Sequence, residues 1–403
     1  MSIPGAASPL FLATTGAADA FEISRSLRFN SGDSSYLNRT PSSAGNRKTW
    51  TWSGWVKKSK TGNQRLFSAG ANGNNNSMFQ FVGTDNSQFE VWNYQTGSGE
   101  SRTRTNALFR DFSAWYHIVV SCTATSLAIY VNGVEATYSF NTQPSNTDWS
   151  FNSTTAHALG RSAWGSEYFD GYLADVHFID GQALAPTDFG APDDNGVWQA
   201  KEFEGTYGPL LDQSQTWSNL VSTTDGLRSG SGAFAYGALS TIFDGNLANG
   251  VGTNSGNLTL NFSSGISTSN STVEVYIYHT YSATITAGGS TYATNTGTSG
   301  VTSWVSVSGV SGTITSIVVS GSGSVGTCGG IKIDGKLLAD SGVTVPDNSF
   351  HLDFTDNSNT GALGYDAAVT APTLNPKGGM DVVTWTGNGS SSRAITGLSF
   401  SPD

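Results

Sequence analysis

The sequence predicts an all-β protein, and three observations carry that prediction. Only 12% of the 403 residues are charged, against about 25% in ordinary globular proteins. Glycine is abundant, with 49 copies, and Ser, Thr and Asn fill the polar positions that Lys and Glu would take in helices. Those three side chains favour turns and strands over helix interiors. From Leu27 onward, apolar residues alternate with polar ones, and turn residues break the pattern at spacings of roughly eight to twelve positions, as in a sandwich or barrel.

The elements follow in order. In "TWTWSGWVKKSK", Trp50, Trp52, Gly54 and Val56 fall on one face of a strand, while Thr51, Ser53, Trp55 and Lys57 fall on the other. "QRLFSAG", "MFQFVGT" and "QFEVWNY" read as further strands separated by Asn/Gly-rich turns such as "ANGNNNS". "WYHIVVSC" and "SLAIYVNG" read as two strands joined by "TATS", with Asn132-Gly133 making a tight turn because both residues tolerate positive φ. "YFDGYLADVHFIDGQAL" reads as a long strand pair ending at Pro186. Beyond Gly205–Leu211 the chain becomes Ser/Thr/Gly-rich, with strands in "LTLNFSS", "TVEVYIYHTYS", "STYATNT", "WVSVSGV" and "SIVVSGS".

The net charge of −11 argues against a surface that binds nucleic-acid backbones. No apolar run reaches the ~18 residues of a membrane span. Cys122 and Cys328 are far apart and read as two unpaired thiols, so cysteine usage does not settle the compartment. Residues 1–22 lack the basic start and long apolar run of a secretory signal. They read either as an extended arm, anchored through Leu10, Phe11 and Leu12, or as a frayed terminus.

"WTWSGWVKK", "WYHIVVSC…LAIYVNGVE" and "FDGYLADVHFIDGQALAP" resemble a laminin-G-like, concanavalin-A-type lectin/glucanase sandwich, over residues 23–206. The phrasing of "SLRFNSGDSSYLNRTPSSAGNRKTWTWSGWVKKS" and "HFIDGQALAPTDFG" is closest to virion proteins of tailed bacteriophages, marine and cyanophage-like ones especially. "FDGNLANG" and "GGIKIDGKLL" resemble the discoidin-type, galactose-binding-like jelly roll, over residues 207–347. The fold implied is a concanavalin-A-like jelly-roll sandwich plus a second galactose-binding-like β-sandwich. That second domain is expected as an insertion, with residues 348–370 returning as a strand to the first sandwich and 371–403 opening a further β segment. The phage resemblance implies a structural protein of the tail or capsid surface: a tail fibre, head fibre or decoration. Its partners would be other phage structural proteins, copies of itself in a homo-oligomer (trimers are usual for fibres) and a host-surface glycan. Nucleic acid and membrane insertion are not expected.

Glucanases of the superfamily carry Glu-x-Asp-x-x-Glu on one strand, which sets carboxylates on one face for acid and nucleophile roles. The motif is missing here. The nearest pairs, Asp175 with Asp180 and Glu167 with Asp170, have odd separations that place their members on opposite faces of a regular strand. No catalytic residue is therefore assigned and no enzyme activity is expected. The histidines His117, His157, His177, His279 and His351 are scattered, without metal-ligand spacing, and His117 and His177 read as structural.

Sugar binding needs aromatic faces beside neutral amides and carboxylates on loops. Trp164, Glu167, Tyr168 and Asp170 in "GRSAWGSEYFDG", and Trp92 and Tyr94 in "WNYQTGSGE", offer these. The competing reading packs the same aromatics on the core or a partner chain. Of metals, the sandwich and jelly-roll resemblance implies only calcium, at Asp244 and Asn246 of "FDGNLAN". With two side-chain oxygens, that stretch reads sooner as a simple Asx-turn than as a calcium site. No other cofactor is expected.

Overall fold

The computed structural model describes residues 21–355 apart from 84, 86, 98, 231–234, 279–280, 294–301 and 322–325, together with 375–376. The chain divides into two compact units, Met1–Tyr207 with Asn348–Asp403, and Gly208–Asp347. The arm with Leu10, Phe11 and Leu12 lies outside the described residues, as does His279.

The first unit is a concanavalin-A-like sandwich of two sheets. Its strands are β1 (Leu27–Phe29), β2 (Leu37–Arg39), β3 (Trp50–Lys58), β4 (Gln64–Asn72), β5 (Asn75–Val82), β6 (Gln88–Gln95) and β7 (Gly99–Leu108). They continue with β8 (Tyr116–Cys122), β9 (Leu127–Val131), β10 (Val134–Glu135), β11 (Tyr138–Thr142), β12 (His157–Leu159) and β13 (Gly171–Asp180). One sheet runs β1-β13-β3-β8-β9-β10, with Phe350–Leu352 also paired to β13. The other runs β11-β7-β6-β5-β4-β12-β2, with Asn375–Pro376 beside β2.

The alternation in β3 does what the sequence predicts. Trp50, Trp52 and Val56 are buried between the sheets, while Trp55 stacks on His117 at 5.0 Å on the outer face. Aromatic rings fill the core: Trp50 meets Trp149 edge-on at 5.2 Å, and Phe67 stacks on Phe151 at 4.8 Å. Such pairs add about 0.5–1.5 kcal/mol each beyond their burial. Asn132 (φ 48°) and Gly133 (φ 80°) make the turn from β9 to β10, with the left-handed backbone that a two-residue hairpin turn requires. Past that hairpin, β11 leaves for the other sheet and pairs with β7.

Three sequence readings need correction. The stretch 168–184 holds one strand, β13, and not a strand pair. The chain turns at Gly181 (φ 78°) and enters a single helical turn at Pro186–Asp188. In the second unit, four of the five segments read as separate strands merge into two long ones, Leu258–Tyr278 and Thr302–Gly321, while "STYATNT" does hold a strand of its own, Ser290–Ala293. Register shifts between Asn261 and Ile266, between Thr268 and Ser271, and between Ser271 and Val273 let one continuous strand change its pairing. Bulges thus stand where the sequence suggested turns. The third correction is that β13 is not regular. A bulge lies between Ala174 and His177, with Asp175 at φ 48°, so Leu173 and Val176, three apart, both point into the core.

The outer face of the β13-β3-β8 sheet is covered by the chain after β13. Val119, Ile179 and Phe189 form a small apolar cluster there, with Leu184, Phe203 and Tyr207 packed against it. The second unit has its own core, built mainly from Val, Ile and Leu. Cys122 and Cys328 are both buried free thiols, and burial pushes the Cys328 thiol up to about 12. No helix among the described residues is long and apolar enough to cross a membrane.

Candidate functional site

The outer face of the second sheet gathers most of the residues read as sugar-binding. The β5–β6 register pairs Met78 with Trp92 and Gln80 with Glu90. The β6–β7 register pairs Trp92 with Arg102, Tyr94 with Glu100, and Glu90 with Arg104. With Phe89 and Val91 in the core, period-two alternation sets Glu90, Trp92 and Tyr94 outward. "ESRTRTNAL" follows the same rule, with Arg102 and Arg104 outward between buried Ser101, Thr103 and Thr105.

Glu90 is the electrostatic centre of this face. It is fully buried, and its carboxylate accepts hydrogen bonds from Gln80 Nε2, Arg102 Nε at 2.9 Å and Arg104 Nε at 2.6 Å. Two charge-assisted bonds to one carboxylate fix both arginines in place. The Arg102 guanidinium then lies 5.0 Å from the Trp92 ring and 5.1 Å from the ring of Phe140 on β11, both within cation–π range. Tyr94 follows Trp92 at 6.1 Å between rings. Phe140 is 43% exposed, so the row Tyr94, Trp92, Arg102, Phe140 presents ring surface and a fixed cation to solvent.

The hairpin carrying Trp164 and Glu167 is fastened to the same face. Ser68 Oγ on β4 donates to the Arg161 carbonyl at 2.8 Å and accepts from Ala163 N–H at 2.7 Å. Glu167 pairs with Arg65 at 3.8 Å, and Arg65 sits opposite Gln80 in the β4–β5 register. Burial lowers the Arg65 guanidinium pKa, and the fields of Glu167 and Glu90 oppose that shift. Arg65 Nε and Nη1, Gln80 Oε1, Trp92 Nε1 and Ser162 Oγ are buried without a hydrogen-bond partner. A group of that kind costs about 1–3 kcal/mol while unsatisfied.

The six residues read as sugar-binding thus divide. Trp92 and Tyr94 stand on the open row, and Trp164 (half-buried) and Glu167 (exposed) on the hairpin. Tyr168 is packed with Tyr36 at 6.4 Å, with the Arg161 guanidinium 4.2 Å from the Tyr36 ring. Asp170 is occupied internally: it accepts from Arg28 at 2.7 Å and from the Ser31 N–H and hydroxyl at 3.1 and 2.8 Å. Sequence reasoning missed Arg65, Arg102 and Phe140. The alternation of Arg102 and Arg104 opposite "EVWNY" was the signal available for Arg102.

Neither carboxylate pair suits glycoside chemistry. Asp180 is fully buried and accepts from Asn46 N–H, Asn152 Nδ2 and Asn348 N–H. Asp175, turned by the bulge, faces His177 and His351 on the outer side of its sheet. Asp244 and Asn246 form an Asx-turn. Asp244 Oδ1 accepts from Asn246 N–H at 2.8 Å and Oδ2 from Asn249 Nδ2 at 3.0 Å, while Asn246 Oδ1 accepts from Ala248 N–H.

The histidines are not all scattered, which corrects the sequence reading. His177 and His351 stack at 4.0 Å with planes 11° apart, and both turn Nε2 to Asp175. Their partnership joins distant parts of the chain, beyond the reach of any spacing motif. His117 is structural as expected: Trp198 Nε1 donates to its Nδ1 at 2.9 Å and Ser53 Oγ lies 2.9 Å from its Nε2. Burial drives its pKa down to about 3.

The two-sheet sandwich of the first unit is concanavalin-A-like, and a family comparison agrees. Residues 30–188 match the concanavalin A-like lectin/glucanases superfamily. No curated protein matches the chain. Among solved structures, the chain is similar to a heptameric SAP-like pentraxin from Limulus polyphemus (16% identity, 41% of this chain and 80% of that one, TM-score 0.32). It is also similar to domain 4 of an extracellular arabinanase from Geobacillus stearothermophilus, solved with arabinotriose (22% identity, 37% and 68%, TM-score 0.30). A third is the LG4-5 pair of the mouse laminin α1 chain (12% identity, 85% and 98%, TM-score 0.29).

Proposed function

We propose that the protein is a non-catalytic, carbohydrate-binding display protein whose sugar site is the outer face of the β7–β6–β5 sheet. The observation that carries this reading is the row Tyr94, Trp92, Arg102 and Phe140, held rigid by buried Glu90. Aromatic faces cover the C–H patches of a pyranose, and a fixed guanidinium and the nearby Glu100 and Glu167 address its hydroxyls. Arg102 also pairs with Glu100 at 3.6 Å, so its charge is met on the face and the row favours a neutral glycan. No carboxylate pair among the described candidates is placed for acid–base attack on a glycosidic bond, which supports binding without cleavage. A glycan array with purified protein tests this reading. Retention of a glycan that is lost in Trp92→Ala, with no release of reducing sugar, is the expected result; an array without hits overturns it.

The setting we propose is the tail or capsid surface of a tailed phage, and it rests on the sequence resemblance alone. Residues 1–22, with Leu10, Phe11 and Leu12, would anchor the chain to other virion proteins, and residues 207–347 would act as an inserted, galactose-binding-like spacer. A free lectin or adhesin is the competing setting. Immunogold labelling of purified particles separates the two, since a free lectin leaves virions unlabelled.

A further inference from the structure

On the opposite side of the sandwich, we infer a site for one divalent transition-metal ion, zinc by its chemistry, held by Asp175, His177 and His351. Three donor atoms, one carboxylate oxygen and two imidazole nitrogens, lie within 4.8 Å of one another. Asp175 Oδ1 is 3.1 Å from His177 Nε2 and 2.7 Å from His351 Nε2. Two imidazoles and a carboxylate are a zinc donor set, with water as the fourth ligand. Calcium is disfavoured, since it takes six to eight oxygens.

Three further features point to a ligand-holding role. Asp175 is a non-glycine residue at φ 48° within the bulge of a strand. Backbone of that kind is uncommon outside glycine, although aspartate is among the residues that adopt it, and it is concentrated where a side chain must be aimed. A regular strand would send this carboxylate to the core face; the bulge sends it to the two histidines. Next, the Tyr207 hydroxyl lies 2.9 Å from His177 Nδ1. A hydrogen bond there fixes the ring and its tautomer, as outer-shell partners of metal-bound histidines do. With the Nδ1 proton donated to the tyrosine oxygen, Nε2 is left as a lone pair facing a carboxylate, an arrangement that a cation between them stabilises. Finally, the cluster is dry on one side and open on the other. His177 and Asp175 are buried beside Phe189 and Phe203, whereas the His351 side chain is 20% exposed.

The same distances without metal describe two N–H donors sharing one carboxylate oxygen. Burial would raise the Asp175 carboxyl, but hydrogen bonds from His177 and His351 outweigh it and hold the group below the ordinary range. Metal binding uses the other tautomer: each ring's proton moves from Nε2 to Nδ1, on His177 facing the Tyr207 oxygen, and the two Nε2 lone pairs take the ion. Because the rings are stacked in parallel, their lone pairs converge only when the more exposed His351 tilts out of the stack. The ion would then clasp Phe350–Leu352 to β13 through side chains, in addition to the strand pairing of His351 with His177.

The full chain, stripped with a chelator, should bind one equivalent of Zn²⁺ by calorimetry. Co²⁺ in its place should give the intense visible bands of four-coordinate cobalt. His351→Ala and His351→Gln should each weaken Zn²⁺ binding at least about 100-fold, and Tyr207→Phe about ten- to a hundredfold, with circular dichroism unchanged. If the wild-type protein takes up no Zn²⁺ below about 100 μM, corresponding to roughly −5.5 kcal/mol of binding, the inference fails and the cluster is a hydrogen-bonded clasp. Stoichiometric binding that survives both His351 substitutions overturns it as well, by placing the ion elsewhere.

Discussion

The two compact units fill their cores with different chemistry. In the first, Trp50, Trp52, Trp149 and a set of phenylalanines that includes Phe67, Phe79, Phe81 and Phe89 make up about half of the buried core residues. In the second, Trp217, Phe243 and Phe262 are the aromatic members and the rest is Val, Ile, Leu, Ala and one Cys. The polar groups differ more. Among the described residues, the first unit buries Lys58, Glu90, Asp170, Asp175, Asp180, His117, His157 and His177, while the second buries Thr253, Ser271 and Thr327. Burying charge is costly unless each group is paired and hydrogen-bonded. The first unit therefore carries many position-specific constraints, and the second few. Aliphatic side chains on long strands build a rigid body; charges buried in fixed places build sites.

The largest expected effect that sharpens this contrast is Trp50→Ala, which should cost the first unit about 3–5 kcal/mol, because the ring is fully buried and touches Phe79, Trp149, Phe151 and Phe178. Hydrogen exchange should show faster amides throughout the sandwich and unchanged ones in residues 208–347. Equal acceleration in both units would break the comparison.

Glu90→Gln comes next. It removes the charge that Arg102 and Arg104 share, and breaking a buried pair typically costs about 3–5 kcal/mol; the partial exposure of both arginines puts the expectation at the lower end. Urea unfolding should report the loss, and glycan retention should fall with it because Arg102 is no longer fixed. Unchanged stability would mean that Glu90 is not the centre of the face.

Acid should act mainly on the first unit. Burial lowers His117 to about 3 and His157 to about 4, against about 6.5 unfolded. Both are neutral when folded, so below about pH 6.5 the unfolded chain binds more protons and stability falls with falling pH. The stability is fully present above that pH. Each group should remove up to about 1.4 kcal/mol per pH unit until the folded pKa is reached, His157 first. Melting temperature against pH checks this; a flat profile from about pH 6.5 to about 4.5 contradicts it.

The smallest effect is Ile285→Val in the second unit, expected at about 1 kcal/mol, since one buried methylene is lost from an aliphatic core that can close over it. A loss above about 3 kcal/mol would show that core to be as exacting as the aromatic one.

The sandwich was legible because its alternation is clean. Trp50, Trp52 and Val56 announce a core face, and Asn132-Gly133 announces a turn. Trp92 and Tyr94 could be singled out as aromatics near a loop, but their partners come from neighbouring strands. Arg102 and Phe140 become neighbours of Trp92 only once the register is known. The Asp175 bulge was hidden, because aspartate tolerates positive φ in many settings and the residue type alone does not place a bulge within a strand. His351 was hidden by distance along the chain. Glu167 and Asp170 looked alike in sequence, and only the fold shows one exposed and the other enclosed by Arg28 and Ser31.

The edge of β13 away from β3 is shared end to end by two segments: β1 pairs with Gly171–Leu173, and Phe350–Leu352 pairs with Val176–Phe178. This sets a timetable for synthesis. About 170 residues separate the end of β13 from the strand that completes its edge, and at roughly 5–20 residues per second the ribosome needs on the order of ten to thirty seconds to deliver it. During that interval the nascent sandwich presents half of a β13 edge as an unpaired template, the kind of edge that recruits other chains. Crowded ribosomes on one message would hold several such edges side by side, so slowing translation across 181–349 should raise the yield of aggregated product more than slowing it anywhere earlier in the chain.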